Sequence, residues 1–229
     1  MPNMITCLNL FSGCLGIVFA FQGELKLASL SILISALLDF FDGMAARLLK
    51  AYSEIGKELD SLADVVSFGV LPSVILFQLF EMSPQLGEIS RWLNYSAFLI
   101  AIFSALRLAK FNIDQRQSDH FLGLPTPANA LLIGSFPMIL DQGYFFISAY
   151  ILNPFFLSIF SLGMGILLVA EIPLISLKFK SLKLQANLYR YILILSALIL
   201  LLIFKFAAVP IIIFFYFIVS FFEFRTQNS

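Results

Sequence analysis

Histidine occurs once in 229 residues, tryptophan once and cysteine twice. The two cysteines, Cys7 and Cys14, share one apolar segment, which excludes a disulfide framework and a cysteine-rich metal knuckle. Charge is scarce as well, at 12% of residues against a usual ~25%. Lys plus Arg number 14 and Asp plus Glu number 14, so the formal net charge is zero and a basic nucleic-acid binder is excluded. What is present is apolar: 60% hydrophobic residues, with phenylalanine at 27 positions. A soluble domain of this size has no interior for that excess. A disordered chain is equally excluded, which leaves an all-α, polytopic membrane protein.

Charges and breakers divide the chain into apolar stretches at 4–21, 25–46, 62–80, 93–110, 127–147, 151–175, 189–204 and 206–222. With ~20 apolar residues needed per helix, this predicts about eight spans in a single integral membrane domain, 1–229. The last two are the weakest as separate elements, because only Lys205 divides them and the turn would be very tight. The first run is longer than a signal-peptide core and lacks a basic leader, so it is read as a retained helix. Pro173 and Pro210 are read as kinks. Most phenylalanines are expected to face lipid, fill the core or sit at the membrane interface.

Orientation follows the basic residues near span ends. With the N-terminus inside, Arg47, Lys50, Lys57, Arg107, Lys110, Arg116, Lys178, Lys180, Lys183, Arg190 and Arg225 face the cytoplasm. Lys26, Arg91 and Lys205 face outward. The asymmetry predicts an even number of spans with both termini cytoplasmic. The Lys178–Lys183 cluster reads as a topology signal or a contact for anionic lipid.

Carboxylates are costly at membrane depth and mark functional sites there. Asp39 and Asp42 lie three apart at the end of the second stretch, and Asp60 and Asp64 lie four apart on the way into the third. Both spacings place a pair on one helix face, and a short link lets all four converge. Four converging carboxylates repel one another, and a hard divalent cation relieves the repulsion while leaving places for phosphate oxygen. No His or Cys accompanies them, so zinc is disfavoured. Gly43 and Gly56 offer close approach to a ligand, and Arg47 offers a phosphate-binding fork. A structural polar network and an ion-conducting channel or transporter remain open alternatives for these acids.

Asp39, Asp42, Gly43, Ala46, Arg47, Gly56, Asp60 and Asp64 read D-x-x-D-G-x-x-A-R, eight residues, G-x-x-x-D-x-x-x-D. This string resembles, without departure, the signature of the CDP-alcohol phosphotransferase family. The PN-x-x-T-x-x-NL opening of Pro2, Asn3, Thr6, Asn9 and Leu10 is similar too. The runs Ser61–Val70, Ala105–Asn112 and Phe121–Ala128 look like the phosphatidylserine synthase branch. The resemblance covers residues 2–137, and 138–229 is similar chiefly in hydrophobicity.

The resemblance implies a membrane enzyme, commonly a homodimer with six core helices. Its site would face the cytoplasm from the cell membrane. It would transfer phosphatidyl from CDP-diacylglycerol to L-serine, with glycerol 3-phosphate or inositol as alternative acceptors. Two ions, Mg²⁺ or Mn²⁺, would be held by Asp39, Asp42, Asp60 and Asp64, with Asp60 bridging and Asp64 as general base. Asn9, Thr6, Gly43, Ala46, Arg47 and Gly56 would line the CDP site. Arg107, Lys110 and Arg116 would meet serine or phosphate. His120 is read as an exposed loop residue without catalytic role, and Glu171 as a helix-packing or helix-end residue.

Overall fold

The computed structural model describes residues 2–49, 53–84, 87–113, 121–143, 145–175 and 187–227. Helix α1 (Pro2–Phe21) turns at Gly23, whose φ is +82°, into α2 (Leu25–Leu48). The two run antiparallel along their length: Ser12 Oγ donates to the Ser31 carbonyl at 3.1 Å, and Ser35 Oγ to the Asn9 carbonyl at 3.3 Å. Small residues make this approach possible, as helix contacts in lipid require. A side chain at Gly16 would meet Leu71 and Ser31, and one at Gly13 would collide with Ser67.

Ser53 caps α3 (Glu54–Asp64), its hydroxyl accepting from the Gly56 N–H at 3.0 Å. The helix then widens into a π-turn at Val65–Val70 before resuming as α4 (Leu71–Met82). Pro72 explains the widening: it has no N–H to donate four residues back, and the Leu71 N–H donates five back, to the Val66 carbonyl. The π-turn begins directly after Asp64, a placement frequent at functional sites.

Next come α5 (Glu88–Asn94), a 3₁₀ turn and α6 (Leu99–Ile113), followed by α7 (Thr126–Asp141), α8 (Phe145–Ile151) and α9 (Pro154–Val169). The chain ends in α10 (Leu188–Phe204) and α11 (Ala208–Gln227). One short pairing interrupts the helices: β1 (Phe121–Leu122) lies antiparallel to β2 (Pro173–Leu174). Pro173 therefore sits in an extended segment and kinks no helix, contrary to the sequence expectation. Pro210 falls in the first turn of α11, where its missing N–H leaves no bond unmade.

Among the described residues the fold is all-α apart from that pairing, and the eight apolar stretches all contain helix. Five helical runs among the described residues, not eight, are long and apolar enough to cross a membrane: Pro2–Phe21, Leu25–Leu48, Glu54–Met82, Arg91–Ile113 and Leu188–Arg225. The count is lower for two reasons. Helices α7 and α9 have 16 residues each, about 24 Å against a core of ~30 Å. The run Leu188–Arg225 is also continuous only along the chain, because it folds back at Lys205. That residue is the one non-glycine with positive φ (+50°) among those described, and the Arg190–Glu223 ion pair at 3.7 Å joins the far ends of α10 and α11. The tight turn expected there exists as a 3₁₀ turn, Lys205–Ala207. Glu171 lies two residues past α9 and is exposed.

Gly123 positions the entry to α7. Its φ is +75°, and a side chain there would meet the Leu168 and Ala170 carbonyls at 2.6 and 2.8 Å. Its N–H donates to Ile172 at 2.9 Å, and that of Leu124 to Leu167 at 3.0 Å. The loop thereby seals the C-terminal end of α9 and presents Pro125, Thr126 and Pro127 to the site. At the other end of α7, Asp141 pairs with Lys26 at 2.5 Å, so α2 and α7 lie antiparallel.

Candidate active site

The four acids meet at one end of the bundle. Asp39 and Asp42 come from the late turns of α2, Asp60 and Asp64 from α3, and all four line one cavity of about 630 Å³. Carboxylate oxygens of Asp39, Asp42 and Asp60 lie within 4.8 Å of one another, a spacing that could hold a metal ion. Asp42 Oδ2 and Asp60 Oδ1 are buried without a hydrogen-bond partner. Buried unpaired acceptors are costly, and oxygen-only ligands with open lone pairs suit a hard divalent cation. The residues therefore fit such an ion. Asp64 stands outside that three-acid group, and its Oδ1 accepts from Asn9 Nδ2 at 3.4 Å.

Thr6, Gly43, Ala46, Arg47 and Gly56 also line the cavity, and Asn9 lies just behind it through its bond to Asp64. The two glycines differ. A side chain at Gly43 would meet nothing within 4 Å, so the space above it is open to a ligand. Above Gly56, Ser53 Oγ and Asn3 Oδ1 already stand at 2.9 and 3.1 Å, so its smallness serves the helix cap as well. Arg47 Nε donates to the Gly43 carbonyl at 2.9 Å, which folds the guanidinium over the helix end. The Thr6 hydroxyl donates to the Pro2 carbonyl at 3.2 Å.

Arg107 lies on the cavity wall, 8% exposed, with Nε unpaired. It stands within electrostatic range of Asp64 and Tyr216, and its guanidinium is 6.0 Å from the Phe111 ring centre. Lys110, expected beside it, is exposed and is not among the residues lining the cavity, whereas Leu108, Phe111 and Asn112 of the same helix are. Arg116, His120, Lys50 and the Lys178–Lys183 cluster lie outside the described residues.

Sequence reasoning missed four contributors. Thr126 is fully buried, lines the cavity and leaves Oγ1 unpaired. Lys57 Nζ donates to the Asn112 carbonyl at 2.9 Å, and Asn112 Nδ2 donates to Ser61 Oγ at 2.8 Å, so α3 and α6 are clasped at the cavity rim. Thr126 had a signal, being flanked by two prolines in the string Phe121–Ala128. Lys57 was read as a topology charge, and nothing in the spacing of Ser61 or Asn112 marks them.

The comparisons with known proteins agree with this geometry. The family model for CDP-alcohol phosphatidyltransferases matches residues 1–172. The chain is 38% identical over 196 residues to the CDP-diacylglycerol–serine O-phosphatidyltransferase of Helicobacter pylori strain 26695, covering 85% of this chain and 78% of that one. It is 38% identical over 172 residues to the Bacillus subtilis protein of the same name, covering 75% and 88%. The protein of that name from Methanocaldococcus jannaschii is 35% identical over 173 residues, covering 75% and 72%. With an enzyme family matched across the whole acid site, the channel and transporter readings give way. The chain belongs to the CDP-alcohol phosphatidyltransferase family, within the branch of the CDP-diacylglycerol–serine O-phosphatidyltransferases.

Proposed function

We propose that this enzyme transfers the phosphatidyl group of CDP-diacylglycerol to the hydroxyl of L-serine, giving phosphatidylserine and CMP. The observation that carries the reading is the junction of two cavities. The acid-lined one shares Asp39, Phe40, Arg47, Pro125 and Pro127 with an apolar one of about 940 Å³. A substrate with a charged nucleotide end and a lipid end needs such a junction.

Asp39, Asp42 and Asp60 would hold one divalent ion, Mg²⁺ or Mn²⁺, and Asp60 with Asp64 a second; bound there, the ions neutralise pyrophosphate charge. Gly43 leaves room for the nucleotide, with Ala46, Arg47, Thr6 and Gly56 around it. Asn9 holds Asp64 by Oδ1, leaving Oδ2 to take the proton from the serine hydroxyl. The serine oxygen bonds to the lipid-linked phosphorus as the bond from that phosphorus to the CMP oxygen breaks. The Arg107 guanidinium faces the cavity without a partner for Nε, which suits the serine carboxylate. The acids lie at the end of the bundle that the basic-residue asymmetry assigns to the cytoplasm. The same reading places the enzyme in the cell membrane, with family resemblance supporting a homodimer.

The test is direct. Purified protein receives CDP-diacylglycerol, Mn²⁺ and radiolabelled serine. Labelled phospholipid that disappears on chelation is the expected result, and no label from a preparation that binds the nucleotide-lipid overturns it.

A further inference from the structure

Asp64 and Arg107 stand on different helices. Asp64 ends α3, and Arg107 lies on α6 with Asp64 in its electrostatic range. Both line the acid cavity, and so do Lys57, Ser61 and Asn112. The two helical runs touch on either side of this pair. At the rim, Asn112 Nδ2 donates to Ser61 Oγ at 2.8 Å. Deeper, a side chain at Gly69 would meet Ser104 Cβ at 3.1 Å and Ala101 Cα at 3.6 Å, so the π-turn and α6 approach closely there.

These contacts are in step. Ser61 to Gly69 is eight positions forward, and Asn112 to Ser104 is eight positions back, each about 12 Å at 1.5 Å per residue. The run from α3 through the π-turn is therefore antiparallel to α6, with Asp64 and Arg107 held between two pins. The deep pin is packing. The rim pin is a closed ring of hydrogen bonds: Lys57 Nζ donates to the Asn112 carbonyl at 2.9 Å, Asn112 Nδ2 to Ser61 Oγ, and Ser61 Oγ to the Lys57 carbonyl at 3.3 Å. Asn112 is the next-to-last residue of α6, so the ring holds the end of that helix by backbone and side chain together.

We propose that Asn112 and Ser61 are positioning residues that set the gap between Asp64 and Arg107, and thereby the length of acceptor the enzyme takes. An acceptor with its hydroxyl at Asp64 and its carboxylate at Arg107 must span that gap. Serine spans it, and homoserine, one methylene longer, is held out of line. The Asn112 amide is committed to Ser61, so it acts through helix spacing. The inference rests on serine as acceptor and on Arg107 as its carboxylate contact.

The test measures kcat/KM for L-serine and L-homoserine with CDP-diacylglycerol and Mn²⁺, alongside equilibrium binding of CDP-diacylglycerol without acceptor. Asn112→Ala is expected to lower the serine value about tenfold, since small displacements of reacting groups are costly, and the homoserine value less than about twofold. Ser61→Ala should do the same, and the double variant should match either single one, because all three lose one bond. Ser61→Thr keeps the hydroxyl and should keep the unaltered ratio of the two acceptors. Donor binding should hold throughout. Equal loss for both acceptors, additive losses in the double variant, donor binding that weakens in step with serine, or an unchanged ratio in both single variants overturns the proposal while serine transfer by the unaltered enzyme stands. An unaltered enzyme that binds the donor and leaves serine untouched overturns the acceptor reading, and this inference with it.

Discussion

Asn9 and Asp64 meet through a single hydrogen bond, Nδ2 to Oδ1 at 3.4 Å, across 55 positions of chain. The Asn9 carbonyl meanwhile accepts the hydroxyls of Ser35 at 3.3 Å and Ser67 at 3.1 Å. One residue of α1 therefore fastens α2 and the π-turn with its backbone and orients the candidate base with its side chain. Those two roles can be separated, since side-chain substitution leaves the carbonyl in place.

Asn9→Ala should lower kcat about tenfold while the KM for the nucleotide-lipid moves little, because an orienting bond to one carboxylate oxygen is lost. Steady-state kinetics with both substrates varied checks this. A change confined to KM would place Asn9 in nucleotide binding instead.

Asp64→Asn should abolish transfer by a factor of about 10²–10⁴, the usual contribution of a positioned base, with nucleotide-lipid binding retained. Single-turnover transfer and equilibrium binding on one preparation check it. Wild-type turnover would remove Asp64 from that role.

Asp42→Asn should weaken divalent-ion binding about tenfold or more, since Asp42 is one of three acids whose oxygens cluster within 4.8 Å. Titration of Mn²⁺ followed by electron paramagnetic resonance reads the affinity without turnover.

Gly123→Ala should destabilise the fold by about 1–3 kcal/mol, because its φ of +75° and the Leu168 carbonyl 2.6 Å away leave no room for a methyl group. Thermal unfolding in detergent reads the loss. Gly43→Ala, with nothing within 4 Å, should leave unfolding unchanged and weaken nucleotide binding.

Arg107→Lys should raise the KM for serine about tenfold with little effect on nucleotide-lipid affinity, because a lysine cannot reproduce a planar two-point contact with a carboxylate. Initial rates over a serine series check it.

The acid site was legible because carboxylates in an apolar chain have few bland explanations, and their spacing of three and four survives as helix geometry. Of the charges clustered in sequence at the end of α6, Arg107 lines the cavity and Lys110 is exposed, a difference that the charge cluster alone does not record. The π-turn was hidden behind an ordinary apolar run, since only Pro72 signals it. The apolar groove was illegible altogether. Ala197, Leu201 and Ile213 are of the same residue types as their lipid-facing neighbours, and only the antiparallel return at Lys205 separates inner from outer faces. The span count fell short of eight because α7 and α9 stop at 16 residues each and because the last two stretches form one helical run along the chain, Leu188–Arg225.

The measurement that bears most directly on the central claim is CMP release from CDP-diacylglycerol with Mn²⁺, run side by side with L-serine, glycerol 3-phosphate and inositol. Serine should release CMP in step with phosphatidylserine formation, and the other two should leave the rate at background. Release driven by glycerol 3-phosphate or inositol, with serine at background, would contradict it.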